Sequence, residues 1–434
     1  MHTHHVEAVL DVDEPGINAY ATLLTRPSYL AGAILLAHTL HKHSPSTPLI
    51  IIYTPETLPE PSIKSLEAEA KHSNATPYPV DHLRLPTPSN EEDGETGMVA
   101  ERFIDTWTKL RVFDVQKITG KKVERLCFLD ADMMIFSDPS PLIFNEENGA
   151  YLTAEDGGGN RLCASHVCVC NLDRDSWAPS SWKRENCAFT PLTSPSDIAP
   201  AKPQKESETH GIFNSGTFLF QPSPSIRDFV LRRFESTPVK ELKRLKFPDQ
   251  DFLNQVFNER WKSLSWRTNA LKTWRYWHPN IWSDSQVAVL HYIVDKPWAT
   301  RIKHDAQGKP VAGYKGDDGE THTWWWDNFN TWKKERESQK ETDLLDTVAK
   351  YVAGESGEES EEMKAIGGGA QDFAKKWEGR KDGEDKKEGD EESFGQGPHG
   401  PILRKPVLGE RGHGRVVRGR GQRAHPNGMS YMEP

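Results

Sequence analysis

Long apolar runs are absent from this chain. The richest segment, Ala31 to Leu40, is interrupted by His38 and soon followed by Lys42. That is far short of the roughly 18 to 20 apolar residues that span a bilayer, so a transmembrane helix is excluded. Nor does Met1-His2-Thr3-His4-His5 set a basic stretch ahead of an apolar one, and no secretory leader is expected. Cysteine is scarce, with five in 434 residues and four of them crowded at 163, 168, 170 and 187. An odd, clustered set is no disulfide framework and fits a reducing compartment, so a cytoplasmic location is expected. Positive charge is not in excess either. With 54 Lys and Arg against 64 Asp and Glu, the formal charge is −10, which argues against general affinity for nucleic acid or for a membrane surface.

Apolar residues make up 35% of the chain, lean for a globular protein, and they thin out sharply after residue 335. Residues 354–393 are dominated by Glu, Asp, Lys and Gly, a composition that cannot compensate the entropy of ordering. The sequence therefore divides into an N-terminal extension (1–16), one folded domain (17–335) and a low-complexity tail expected to be disordered (336–434). The tail ends in an Arg/Gly-rich stretch from Arg411 to Arg423.

Within the folded part, apolar strands alternate with helical periodicity. Ile17 to Thr25 reads as a buried strand, and Tyr29, Leu30, Ala33, Ile34, Ala37 and Leu40 recur at helical spacing after Pro27. Leu49 to Tyr53 is a second strand, and Ile63, Leu66 and Ala70 mark a second helix. Phe103, Trp107, Leu110 and Phe113 mark a third helix, followed by a strand from Val123 to Phe136, a strand candidate at Tyr151 to Ala154, and a strand at Gly216 to Gln221. Helices are expected at Ile226 to Phe234 and Gln250 to Phe257, and a last strand at Val287 to Ile293. The pattern predicts an α/β fold with a Rossmann-like, mostly parallel, doubly wound sheet, whose ligands lie beyond the C-terminal strand ends. Residues 157–209, rich in Pro and Cys, read as an insert unlike core sequence.

Four stations carry chemistry. Asp130-Ala131-Asp132 leaves the apolar run Leu126 to Leu129, and two hard oxygen ligands at such an end suit Mg²⁺ or Mn²⁺; two solvated acids in a turn would look the same. His291 and Lys296 flank a strand end, where imidazole can complete a metal shell and an ammonium can meet phosphate. Phe213-Asn214-Ser215-Gly216 precedes an apolar strand, and Asp249-Gln250-Asp251 stands at a helix start, where capping is the plain alternative. Cys163, Cys168, Cys170 and Cys187 with His166 could assemble a soft metal site or simply pack an irregular loop, since Cys-x-Cys is not the usual zinc spacing. Trp324-Trp325-Trp326 reads as core packing, with a sugar-stacking platform as the alternative.

In this order and on this scaffold, the stations resemble the family-eight retaining glycosyltransferases of the glycogenin and galactinol synthase type. The resemblance runs from Ile17 to Trp298, around the insert. It is carried by Ala19 to Thr25 with Tyr29 and Gly32, by Thr108-Lys109-Leu110, Leu129 to Asp132 and Phe213 to Gly216, and by Asp249-Gln250 with Leu253-Asn254 and His291 with Lys296-Pro297-Trp298. It implies the nucleotide-sugar transferase (GT-A) fold over 17–335. It also implies that Leu23, Thr25 and Tyr29 hold uracil and ribose, that Asp130, Asp132 and His291 bind Mn²⁺, and that Lys296 grips the diphosphate. Lys109, Asp156, Asn214, Asp249 and Gln250 would hold the donor sugar, with Asp249, Gln250 and Lys296 acting in catalysis. The chain departs from the family in placing Arg26-Pro27 where Asn is common, and in a His291-to-Lys296 segment one residue shorter than glycogenin's and without its glycine.

The function so implied is transfer of a hexose from a UDP-sugar to a hydroxyl acceptor, a small polyol or sugar, with a homodimer compatible. The alternatives are a glycogenin-like primer that glucosylates its own tyrosine, with Tyr351 and Tyr431 as candidates, and a non-catalytic binding protein on the same fold. A dehalogenase-type phosphatase, which also starts from Asp-x-Asp, is disfavoured. Met134 stands where it commonly has Thr or Val, and a long segment precedes the pair.

Overall fold

Runs that are apolar at consecutive positions become strands buried on both faces. In the computed structural model, which describes residues 16–85, 101–154, 159–172, 174, 178–200, 209–311, 319–355, 360 and 363, β1 is Ile17–Leu24, β2 is Leu49–Tyr53 and β3 is Ala75–Pro79. Helix α1, Leu30–His43, joins β1 to β2, and α2, Glu60–Ala70, joins β2 to β3. A 3₁₀ helix over Glu101–Asp114 leads to the hairpin of β4 (Lys117–Ile118) and β5 (Lys121–Leu129). There follow β6 (Met133–Ile135), α3 (Ser140–Ile143), α4 (Glu146–Thr153), β7 (Leu162–His166), β8 (Phe213–Phe220), α5 (Pro224–Ser236), α6 (Val239–Arg244) and α7 (Pro248–Val256). The last elements are β9 (Trp261–Ser263), β10 (Ala270–Leu271), α8 (Trp274–Trp277), β11 (Val289–His291), α9 (Glu320–Ser338) and α10 (Thr342–Ala349).

The main sheet runs β3-β2-β1-β5-β8-β7-β9. Strands β3, β2, β1 and β5 are parallel, β8 is antiparallel to β5 and β7, and β9 returns parallel to β7. The expected mostly parallel, doubly wound sheet is thus present. The chain winds outward from β1 to β3 and then crosses to β5 on the other side, so the C-terminal ends of β1 and β5 diverge at a topological switch point, where α/β sheets bind ligands. A small second sheet, β10-β11-β6, carries His291 to that point.

Side-chain alternation divides the core in two. Tyr20, Leu24, Cys127, Leu129 and Leu219 face α1, α9 and α10, whereas Ala19, Ala21, Leu126, Phe128, Phe218 and Phe220 face the 3₁₀ helix, α5 and α7. Helix α1 is buried from Leu30 to Leu40, as expected of a helix apolar all round. Gly32 is needed at its start. A Cβ there would stand 2.3 Å from the Ala131 carbonyl oxygen and 2.8 Å from the Trp298 ring.

Three local expectations are corrected. Tyr151 to Thr153 close α4 rather than forming a strand, because Asn145 caps that helix through the Asn148 amide and the segment continues helical. The insert drawn from 157 to 209 contains β7, a buried strand of the main sheet. The boundary placed at 335 cuts through α9, and the fold continues through α10. There Arg336 and Glu69 form a bidentate pair (Nε–Oε2 2.8 Å, Nη2–Oε1 2.6 Å) joined by Trp332 Nε1 at 2.9 Å, with side chains only 2% and 0% exposed. Composition concealed this because α9 and α10 carry many charges on their outer faces while Trp325, Trp326, Trp332, Leu344 and Val348 are buried. Tyr351 is buried as well, and the Ala353 amide donates to the Trp298 carbonyl at 2.8 Å. Among the described residues no helix is long and apolar enough to cross a membrane.

Removing residues 364–434 should leave the melting temperature of the chain unchanged. Removing 340–434 should lower it by on the order of 5 °C, since α10 and its Glu341–His72 contact at 2.7 Å are lost. Glu69→Ala should cost about 3–5 kcal/mol, because Arg336 is left as an unpaired buried charge. Thermal and urea unfolding check all three.

Candidate active site

One cleft opens at the switch point, and eleven of the twelve site residues expected from the sequence line it: Leu23, Thr25, Tyr29, Lys109, Asp130, Asp132, Asn214, Asp249, Gln250, His291 and Lys296. Asp156 lies outside the described residues. Leu23 ends β1 and Thr25 and Tyr29 follow it; Asp130 and Asp132 form the turn from β5 into β6; Asn214 is in β8; Asp249 and Gln250 open α7; and His291 ends β11. All but Lys109 and Lys296 come from strand ends, helix starts or the residues just beyond, so long-range sheet pairing sets most of the geometry.

On one side, Lys109 from the 3₁₀ helix reaches between Asp130 Oδ1 (2.9 Å) and Asp249 Oδ2 (2.6 Å). Ser215 Oγ also donates to Asp249 Oδ2, at 2.9 Å. Burial alone would push the Lys109 ammonium down, but the Asp130 and Asp249 carboxylates outweigh it and hold it above the usual lysine value. Burial pushes Asp130 up despite Lys109, with Asp132 as a like charge adding to the rise. For Asp132 burial is overcome by Lys296 and His291, and its carboxyl lies well below the usual range. Lys296 pairs with Asp132 Oδ2 and also donates to the Tyr292 carbonyl at 2.8 Å.

A hydrogen-bond relay fixes the histidine. The Gly216 amide can only donate, and it meets Asn214 Oδ1 at 3.0 Å. The same oxygen accepts from Asn269 Nδ2 at 2.9 Å, so Asn269 Oδ1 is the acceptor for His291 Nδ1–H at 2.9 Å. With its Nδ1 held by Asn269, His291 turns Nε2 toward Asp132 Oδ1 (3.3 Å) and Asp130 Oδ2 (3.9 Å). Two carboxylates and an imidazole nitrogen facing one another is a donor set for a divalent cation, and an outer partner of the Asn269 kind is what a metal-binding histidine needs. Gly216 is required here, since a Cβ would fall 2.6 Å from His291 Cε1.

Gln250 is oriented in the same way. Its Oε1 accepts from Asn214 Nδ2 (3.1 Å) and from the Ser215 amide (3.3 Å), and its buried Nε2 has no partner among the described residues. A buried amide donor lining a cleft is a position for a ligand acceptor such as a sugar hydroxyl. Asp249 and Gln250 are therefore not caps of α7, which has no side-chain cap. Asp251 does the local work, accepting from the Lys246 and Phe247 amides at 3.0 Å each.

Sequence reasoning missed the supporting residues. Asn269 stands in no motif and is recognisable only through its partners. Lys272 is fully buried against Asp295 and 3.1 Å from His322 Nε2, tying the 292–298 loop to β10 and α9. Arg26, the departure from the family pattern, pairs with Asp105 at the cleft rim. In the shortened loop, Val294 takes a φ of 68°, a left-handed conformation unusual for a β-branched residue.

Burial, reinforced by Asp249, raises the Asp251 carboxyl to about 7 against the pull of its two backbone bonds. A raised carboxyl binds its proton more tightly folded than unfolded, so stability should fall as pH rises from about 4 to 7. Asn can still accept both amides. The melting temperature of Asp251→Asn relative to the parent should therefore climb across that window and level off above it, and a pH-independent difference would count against the assignment.

Comparison with known proteins gives a consistent result. Residues 22–301 match the model of glycosyl transferase family 8. Galactinol synthase 4 of Arabidopsis thaliana is 24% identical over 342 residues, covering 77% of this chain and 88% of its own. Galactinol synthase 1 of Solanum lycopersicum is 23% identical over 327 residues, covering 75% and 85%. Among solved structures, the glycosyltransferase GlyE of Streptococcus pneumoniae is similar with 14% identity and a TM-score of 0.41, covering 72% of this chain and 60% of its own.

Proposed function

The chain belongs to glycosyl transferase family 8, and from that membership we propose a retaining, divalent-cation-dependent hexosyltransferase that moves a hexose from a UDP-sugar to a hydroxyl of a small polyol or sugar. The observation that carries the reading is the pair of oriented groups in one cleft: His291 with its Nε2 turned to two carboxylates, and Gln250 with a buried donor that has no partner among the described residues. Asp130, Asp132 and His291 would hold Mn²⁺, which when bound supplies positive charge to a leaving diphosphate.

The chain's own residues divide the remaining work. Leu23, Thr25 and Tyr29, at the end of β1 and just beyond, form the wall for uracil and ribose. Lys296 sits over the Tyr29 ring at 5.8 Å and is placed to exchange its Asp132 partner for phosphate oxygens. Asn214, Asp249 and Gln250 offer acceptors and a donor to the sugar. Asp249 Oδ2 is engaged by Lys109 and Ser215, which favours a carboxylate that steadies positive charge at the anomeric carbon over one that attacks it. Transfer with retention then proceeds on a single face, the departing phosphate taking the acceptor's proton.

The relatives named galactinol synthase favour a diffusible acceptor and make UDP-galactose the first donor to test. A self-glucosylating primer is disfavoured at Tyr351, which is 8% exposed and two residues from the Ala353–Trp298 bond; Tyr431 lies outside the described residues. A cytoplasmic enzyme fits the free, unpaired cysteines.

Asp132→Asn should weaken UDP binding about tenfold or more in Mn²⁺ and little without it, as measured by calorimetry. Equal affinity of mutant and parent at saturating Mn²⁺ would refute the metal assignment. Incubation with UDP-galactose or UDP-glucose and Mn²⁺ should release UDP without adding hexose to the protein. Stepwise hexose additions in the intact mass, abolished by Tyr351→Phe or Tyr431→Phe, would instead establish the primer reading.

A further inference from the structure

A second cluster of metal-binding side chains lies away from the cleft. Cys168 and Cys170 follow β7, Cys187 lies further along the segment that connects β7 to β8, and His278 closes α8. All four are buried, and their ligand atoms lie within 4.8 Å of one another. His278 Nε2 stands 3.3 Å from Cys168 Sγ, 3.3 Å from Cys170 Sγ and 3.6 Å from Cys187 Sγ, and the Cys187 and Cys168 sulfurs are 3.9 Å apart.

Neither hydrogen bonding nor a disulfide explains this arrangement. One ring nitrogen makes one hydrogen bond, as donor or acceptor, yet three sulfurs converge on it. The sulfurs are far beyond the roughly 2.05 Å of a disulfide. The distances instead match the edges of a tetrahedron around one ion. Zn–S of about 2.3 Å and Zn–N of about 2.0–2.1 Å give S···S edges of roughly 3.8 Å and S···N edges of roughly 3.6 Å.

We propose that Cys168, Cys170, Cys187 and His278 form a structural zinc site that clamps the connection between β7 and β8 onto α8. Four protein ligands and complete burial leave no open position, which is the signature of a structural rather than a catalytic zinc. Three thiolates and a neutral imidazole around Zn²⁺ carry one net negative charge, and Arg184 acts electrostatically on Cys170. The surroundings are already built to hold the segment. Phe189 packs 4.3 Å from the Trp274 ring and 5.7 Å from His278, while Asn280 Nδ2 donates to the Phe189 and Leu192 carbonyls at 3.0 and 2.7 Å. The ligand set differs from the one the spacing suggested. Cys163 belongs to β7, and His166 Nε2 is 2.9 Å from Ser263 Oγ; the fourth ligand comes from far along the chain.

The full chain, purified without chelator, should carry about one zinc by elemental analysis, and zinc should remain after dialysis against EDTA strong enough to strip an open Mn²⁺ site. Cys163→Ala and Asp132→Asn should retain it. Cys187→Ser should drop zinc at least fivefold and lower the melting temperature. Because that variant risks misfolding, the parent supplies a second measurement. Grown in Co²⁺, it should show thiolate-to-cobalt charge-transfer and tetrahedral d–d absorption, and a mercurial, which caps the thiolates as mercaptides, should release the metal as it is added. A folded parent with little zinc and no cobalt spectrum would overturn the proposal. So would iron in place of zinc, zinc lost with Asp132→Asn but kept in Cys187→Ser, or a mass two hydrogens lighter from a Cys168–Cys187 disulfide. None of these outcomes depends on glycosyl transfer.

Discussion

The cleft depends on one buried ammonium. Lys109 joins Asp130 at the end of β5 to Asp249 at the start of α7, and it is the counter-charge that lets the two acids stand close together in the cleft. Without it, Asp130 and Asp249 would repel one another, and burial would drive a proton onto Asp130 more strongly still. The favourable balance is local, because Lys109 is enclosed and makes its contacts through direct, short pairs instead of through solvent. A lysine on a 3₁₀ helix thus sets the spacing between the two halves of the cleft.

Those halves differ electrostatically. The Asp132 side holds a second lysine and the oriented imidazole; the Asp249 side offers neutral amides and one engaged carboxylate. A charged leaving group and a neutral sugar need such unlike surroundings. Both halves are connected through Asn214, whose oxygen serves the His291 relay and whose nitrogen holds Gln250. Because Asn214 and Gln250 are anchored by the Gly216 and Ser215 backbone amides, and Asn269 and His291 through Asn214, the polar groups are ordered before any ligand arrives.

Much of this was legible in the sequence because the informative residues sit next to strong local signals. Asp130 and Asp132 follow an apolar strand, Asn214 lies in one, and Asp249 opens a helix after Pro248. The remainder depends on pairings that no local pattern displays. Asn269 matters only because β10 lies beside β11, and His278 meets cysteines about a hundred residues earlier. Composition misplaced the end of the fold for the same reason: Arg336 looks like a tail residue until Glu69 is seen to face it. Tyr151 to Thr153 went astray for a different reason, since a short apolar stretch is compatible with either period and the Asn145 cap decides.

The bond from the Ala353 amide to the Trp298 carbonyl bears on synthesis. Trp298 is also held by its indole to the Ser28 carbonyl at 2.8 Å, so it links the beginning of the fold to its end beside Lys296. Every residue lining the cleft is joined to the chain before Ala353. A nascent chain emerging from the ribosome therefore presents the whole set of cleft side chains before the last backbone bond beside Lys296 can form.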